Sequence, residues 1–207
     1  MSALASPVKV SHITHIDNLA SILEQGCMWS DAKRLELGLL TQNIAYTHIK
    51  ARRLQRPVRV AAGGMIGQYV PFNFCPRSVM LYVIHKGHGD FQDGQDRVLH
   101  LISDIDIIRS TNAQCFFTDI HADLDYAEQI DDFDRLAELD IPKIAKSKYW
   151  QDFKEEKQAE FLAFESVPWE AVTTIGVKTQ QVVDEVNESL QGSQHVPSVV
   201  VNPSWYY

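Results

Sequence analysis

The sequence lacks the marks of several protein classes. Its three cysteines, Cys27, Cys75 and Cys115, are odd in number and share no CxxC spacing. A disulfide framework and a structural zinc site are therefore not expected, and reduced thiols are the simpler reading. No apolar run approaches the ~20 residues a membrane helix needs. The opening stretch MSALASPVKV has no long apolar segment of the kind a secretory signal carries. Together these absences predict a cytoplasmic protein that does not span a membrane. Neither GxGxxG nor GxxxxGK followed by Ser or Thr occurs, so the two commonest phosphate cradles are not indicated. HExxH is missing and the eight histidines are scattered, so no metal is expected. No internal repeat or Pro/Gly/Ser linker divides the chain.

What is present fits one ordinary domain over residues 1–207. With 45% hydrophobic and 22% charged residues, the chain can build a core without staples. The net charge of −8 argues on its face against nucleic acid. The charges, however, are sorted along the chain. Lys50, Arg52, Arg53, Arg56 and Arg59 follow one another with no acid between, and Arg77 and Lys86 come later. From Asp119 to Asp140 the acids stand against a single base, Arg135. A basic face and an acidic face on one domain are expected, and the basic one suits phosphate. A solvated helix face explains the same arginines.

The pattern predicts a first strand over Val8–Ile13 and a helix over Asp17–Gln25. Leu19, Ile22 and Leu23 form the apolar stripe of that helix, Asp17 caps its start and Gly26 ends it. A second helix is expected from about Asn43 to Gln55, closed by Pro57. Tyr46, Ile49 and Arg53, at i, i+3 and i+7, share one of its faces. Val79–Ile84 (VMLYVI) reads as a central strand, with further strands at Val98–Ile102 and Cys115–Thr118. Ile130–Leu139 reads as helical. Late strands are expected at Phe161–Val167, Val172–Val177 and Val196–Val201, with a helix over Val182–Leu190. Helices and strands are interspersed without a regular βαβ beat, which favours an α+β sheet domain.

Glu160 is the most informative position. Strand alternation in KQAEFLAFE puts Glu160 on one face with Leu162 and Phe164, opposite Phe161, Ala163 and Glu165. A carboxylate opening an apolar row is costly unless paired or used; the alternative is a strand edge pointing to water. His12 and Thr14 share a face of the first strand, and such a pair can hold a sugar diol or an amide. A satisfied core histidine is the other reading. YVPFNFCPRSVMLY, from Tyr69 to Tyr82, is dense in aromatics with one arginine and can stack bases or form core. Sequence does not sort Tyr46, Phe72, Phe74 and Tyr82 between these roles. His121, Tyr149 and Trp150 are further stacking candidates.

Taken in order, HITHIDNLASIL, NIAYTHIKARR, YVPFNFCPRSVMLY and KQAEFL resemble the DarT DNA ADP-ribosyltransferase toxins across nearly the whole chain. The resemblance implies the ADP-ribosyltransferase fold: an α+β domain with a split antiparallel β-sheet, a cleft for NAD⁺ and peripheral helices. It implies transfer of ADP-ribose from NAD⁺, as co-substrate, to ring N3 of a thymidine in single-stranded DNA, in a sequence-specific manner. It implies Glu160 as catalytic acid/base and an arginine of IKARR as second essential residue. Arg53 is preferred because it shares a face with Tyr46 and Ile49; Arg52 is the alternative. His12, Thr14, Asn18, Tyr46 and Arg53 are assigned to NAD⁺. Arg77, Met80, His121, Tyr149 and Trp150 are assigned to DNA. A macrodomain antitoxin is the implied partner, and a monomer is the default state. Three other readings compete: transfer to RNA or protein, a non-catalytic single-strand binding domain, and an RNA 2′-phosphotransferase. Glu160 counts against the last two.

Overall fold

The computed structural model describes residues 7–87, 90–146 and 149–207. Among the described residues ten strands form two sheets: β1 (Lys9–His15), β2 (Cys27–Trp29), β3 (Tyr69–Asn73), β4 (Val98–Asp104), β5 (Cys115–Thr118), β6 (Gln129–Ile130), β7 (Glu160–Phe164), β8 (Ser166–Pro168), β9 (Thr174–Val177) and β10 (Ser198–Val201). The large sheet runs β10-β9-β4-β1-β3-β7-β5-β6, and β2 pairs with β8 beside it. Only β9 and β10 run parallel; every other pairing is antiparallel. Around the sheets lie α1 (Leu19–Gln25), α2 (Asp31–Glu36), α3 (Thr47–Arg53), α4 (Val79–His85), α5 (Ile105–Ser110), α6 (Ile141–Ile144) and α7 (Gln180–Ser189). The α+β class is as expected.

The large sheet is split down its middle. β1 and β4 pair along seven residues, and β3 and β7 along five, but β1 and β3 share a single pair, Ser11 opposite Asn73. Pro71 accounts for part of this. Its carbonyl is turned toward β1, where it meets the His12 ring. In an extended strand its nitrogen points the same way, and proline has no N–H to donate to a ladder. The two half-sheets therefore diverge beyond Ser11 and leave a cleft between them. Both faces of the central strands are buried. Phe161 and Ala163 of β7 join the main core with Phe72, Leu99 and Ile175, while Leu162 packs with Tyr69 and Phe116 on the other side. This is the alternation expected of KQAEFLAFE.

Several expected elements differ. Val79–Ile84 is not a strand but α4. Ser78 caps it by accepting the Leu81 N–H, and apolar residues around the helix are buried on one side while Met80 and Val83 face the cleft. An apolar run of this length does not separate a strand from a buried helix segment by periodicity. Ile130–Leu139 is a two-residue strand, β6, followed by a 3-10 helix over Phe133–Glu138 that starts on the Asp132 cap. The strand expected at Phe161–Val167 breaks into β7 and β8 at Glu165, whose φ is +61°. The helix expected over Asn43–Gln55 keeps only Thr47–Arg53.

The expected basic face is reduced by pairing to Arg56 and Arg59. Lys50 bonds Asp31, Arg52 bonds Asp123 and Arg53 bonds Glu160. The acidic stretch is folded onto the basic one: Asp131 accepts the Ala61 N–H and Gln129 accepts that of Arg59. Two segments of opposite charge thus meet along a seam.

Candidate active site

The cleft holds a cavity of about 330 Å³. β1 supplies His12, Ile13 and Thr14; α3 and its lead-in supply Tyr46, Ile49, Lys50 and Arg53; β7 supplies Glu160. Because Glu160 is the first residue of β7, it stands where the strand enters the sheet, and its amide donates to Thr118 Oγ1 at 3.2 Å. Its carboxylate is buried and takes both ends of the Arg53 guanidinium, at 3.0 and 2.9 Å. The Ala122 N–H donates to Oε1 at 3.1 Å, and His121 Nε2 lies 3.7 Å from the same oxygen. Burial alone would raise the Glu160 carboxyl, but the charge of Arg53, with His121 and these hydrogen bonds, holds it below the usual carboxylate value. The site therefore keeps an ionised carboxylate fixed by a two-point bond.

His12 is fixed from the other half-sheet. Its Nδ1 lies 2.8 Å from the Pro71 carbonyl, across the split. A carbonyl only accepts, so Nδ1 carries the proton. Burial lowers the ring to about 4, leaving it neutral with Nε2 as a bare acceptor. Beside it, Thr14 Oγ1 accepts from Asn18 at 3.0 Å and keeps its own hydrogen to donate. Asn18 borders the cavity, but both its amide hydrogens go to Thr14 and the Gln42 carbonyl, and its oxygen accepts the Gln42 N–H at 2.7 Å. Its work is to hold Thr14 and the loop before α3.

The two arginines left open by the sequence part company here. Arg53 turns inward to Glu160, whereas Arg52 turns away over Asp123 and does not line the cavity. Among the residues assigned to DNA, Met80 and His121 line the cavity. Arg77 lies outside it, stacked 4.2 Å from the centre of the Tyr207 ring. Tyr149 is 82% exposed and free to stack. Trp150 is a correction: it is buried against Val79 and Phe153 and meets Tyr82 edge-to-face at 5.2 Å, so no ring face remains for a base. Phe72 and Phe74 are likewise core, Tyr46 borders the cavity, and Tyr82 packs between Trp150 and Tyr207.

Arg34 and Asp31, which sequence reasoning missed, join Lys50 of the basic run on the cavity wall. Arg34 and Lys50 converge on Asp31, with Lys50 Nζ at 3.1 Å. Arg34 Nε is buried and has no hydrogen-bond partner among the described residues. Burial would raise Asp31, but Lys50 and Arg34 hold it low, so the trio carries a net positive charge. Asn73, Lys154 and Gln158 complete the wall toward Glu160. The sole signal for Arg34 was the Ser30 cap at the start of α2.

A family profile described as ssDNA thymidine ADP-ribosyltransferase, DarT, matches residues 11–207. The chain belongs to the DarT family. It is 40% identical over 203 residues to a DNA ADP-ribosyl transferase of Thermus aquaticus, covering 97% of this chain and 90% of that one. Its fold matches Thermus sp. 2.9 DarT in complex with ADP-ribosylated ssDNA with a TM-score of 0.92, at 36% identity over 99% of both chains. The same Thermus protein in complex with NAD⁺ matches with a TM-score of 0.89, at 34% identity over 99% of this chain and all of that one. The DarT fold is thus that of an ADP-ribosyltransferase, as the resemblance implied. Among the described residues no helix is long and apolar enough to cross a membrane, and no three His, Cys, Asp or Glu side chains are grouped to hold a metal ion.

Proposed function

We propose that this chain transfers ADP-ribose from NAD⁺ to ring N3 of a thymidine in single-stranded DNA, at a preferred sequence, with Glu160 as the catalytic group. That it is a DNA ADP-ribosyltransferase using NAD⁺ rests on the family and on relatives sharing more than a third of its residues over almost the whole length. The observation that carries the finer reading is the buried Arg53–Glu160 pair at the cavity wall, faced by His12 and Thr14.

The wall suits NAD⁺. Arg34 offers an unpartnered buried donor and Lys50 a second cation, and together they would hold a diphosphate. The neutral His12 accepts from a hydroxyl or amide, and Thr14 donates to one. Tyr46, Ile13 and Ile44 give the planar rings an apolar surface. NAD⁺ supplies a ribose C1′ that becomes positively charged as nicotinamide departs. Glu160, ionised and immobile, stabilises that charge electrostatically. The same carboxylate takes the N3 proton of a thymine within hydrogen-bond reach. Arg53 keeps both Glu160 oxygens oriented while this happens. Met80 and His121 would contact the base, which must be unstacked to enter; this favours single strands. Arg77 and Tyr149 would meet the strand outside the cavity. In this reading the protein acts as one catalytic domain, a monomer in the cytoplasm. A macrodomain antitoxin partners it and removes the modification.

Mass spectrometry tests this directly. A thymine-containing single-stranded oligonucleotide is incubated with NAD⁺ and protein, beside Glu160→Ala. The expected result is an ADP-ribose adduct mapping to thymine N3 that is absent with the variant. Full turnover by Glu160→Ala, or an adduct on another base, RNA or protein instead, defeats the proposal.

A further inference from the structure

α3 carries two adjacent arginines, and each grips a different carboxylate. Arg53 holds Glu160. Arg52 bonds Asp123 Oδ2 through Nε at 2.7 Å and through a second, shorter contact. The Asp123 side chain is 1% exposed, whereas that of Arg52 is 55% exposed. Its other oxygen, Oδ1, is buried and has no partner among the described residues. Two residues, His121 and Ala122, lie between Asp123 and Ile120 in this turn. Thr118 Oγ1 donates to the Ile120 carbonyl at one end, and the Leu124 N–H bonds the His121 carbonyl at the other. Ala122 delivers its N–H to Glu160 Oε1, and His121 borders the cavity.

We infer that Arg52, through Asp123, is the positioning residue that holds the His121–Ala122 turn against Glu160, so that the base-facing wall and the catalytic carboxylate are registered by one short helix. The inference rests on the function proposed above. Arg52 reaches neither the cavity nor Glu160, so it acts only through the turn. The exposed guanidinium is the counter-charge of a carboxylate that has almost no water. Without it, Asp123 must turn outward to be hydrated. That rotation draws Ala122 N–H off Oε1 and moves His121 out of the wall. The adjacent positions also explain why an arginine motif in this stretch reads as a doublet: one member touches the reacting carboxylate and its neighbour sets the opposite wall.

The test compares wild type, Arg52→Gln, Arg52→Lys and the double variant Arg52→Gln/Asp123→Asn. Turnover of the thymine oligonucleotide, NAD⁺ affinity and NMR amide exchange at Ala122 are measured on each. Arg52→Gln is expected to lower kcat by about 10- to 100-fold, the effect of a small misplacement near the chemistry. NAD⁺ affinity stays within about twofold, since Arg34, Lys50 and His12 are untouched. Ala122 exchanges faster while β7 amides do not. The double variant, with a neutral amide in place of each charged group, restores the tie and most of the rate. Arg52→Lys, folded and still charged, falls between. Three outcomes overturn the inference: wild-type kcat and Ala122 exchange in Arg52→Gln, a loss of kcat matched by loss of NAD⁺ affinity and general exchange, or no recovery in the double variant. If wild type modifies no thymine at all, the function proposed above fails, and Ala122 exchange alone still decides whether Arg52 holds the turn.

Discussion

At the scale of single residues, the Arg53–Glu160 pair sets both reactivity and stability. Because the folded Glu160 carboxyl sits below its ordinary value, its ionised form is a stabilising one. That contribution is complete above the ordinary carboxylate value and disappears as pH falls through the lower folded value. In Arg53→Met the strongest lowering influence is gone, and burial, the largest effect, raises Glu160 against only His121 and the Ala122 N–H, so the sign reverses: the variant suffers most at neutral pH and recovers as acid neutralises Glu160. Removing one partner of a buried pair costs about 3–5 kcal/mol. Urea unfolding of both proteins at pH 7 and pH 5 is expected to show that gap at pH 7 and a smaller one at pH 5. A gap independent of pH would mean that Glu160 escapes to water when unpaired. His12 and His100, which burial lowers to about 4 and about 3, acidify alike in both proteins and leave the difference unaffected. Glu160 was legible in the sequence because strand alternation put a carboxylate on an apolar row. Arg34 was not, because α2 buries none of its residues and so has no stripe to read. Trp150 was misread because an aromatic at a loop looks the same whether it packs inward or faces solvent.

At the scale of elements, the site depends on how α3 is seated. Its end rests on Gly67, in the 3-10 turn that leads into β3. A Cβ on Gly67 would lie 2.7 Å from Leu54 Cδ2 and 3.0 Å from Leu54 Cα, the backbone that follows Arg53. A side-chain tip could yield, but the Cα cannot without moving the end of α3. Gly67→Ala is therefore expected to cost about 1–3 kcal/mol by overpacking. It also displaces Arg53 from Glu160 and lowers turnover by more than the stability loss explains, as a denaturation midpoint and kcat on the same preparation would show. An alanine variant as stable and active as wild type would mean that α3 is not seated on this turn. β1, β4 and β5 were legible to within two residues as short apolar runs, although burial on both faces leaves β4 and β5 no period of two; β7 was legible at its start but was expected to run on to Val167. α4 was not, since VMLYVI is an unbroken apolar run whose helix is decided by Ser78 and by the cleft. α3 was recognised by its shared face, but its start was overextended into the segment that Asn43 and Asn18 hold by side-chain bonds.

At the scale of the whole molecule, a net charge of −8 must be reconciled with a polyanionic substrate. The long-range field of such a chain repels DNA, so affinity has to come from cations at the cleft mouth. The run from Lys50 to Arg59, which composition suggested for that task, is largely absorbed by Asp31, Asp123 and Glu160. Lys154, exposed at the cavity edge, has no acid partner among the ion pairs of the described residues, and Arg77 and Lys86 flank α4 without one. Three phosphate contacts at about −0.7 each give a log–log salt slope for oligonucleotide binding of about −2, shallow for a DNA-binding protein. Fluorescence anisotropy from low to moderate salt measures it. Lys154→Ala should flatten the slope by about 0.7 while weakening different thymine-containing sequences alike, because a phosphate contact positions the strand without choosing it. A slope of about −3.5 would require two phosphates more than these three cations can neutralise. It would place the strand across the α3 seam, with Arg56 and Arg59 as its contacts, and the sorted charges of the sequence would then describe a binding surface after all.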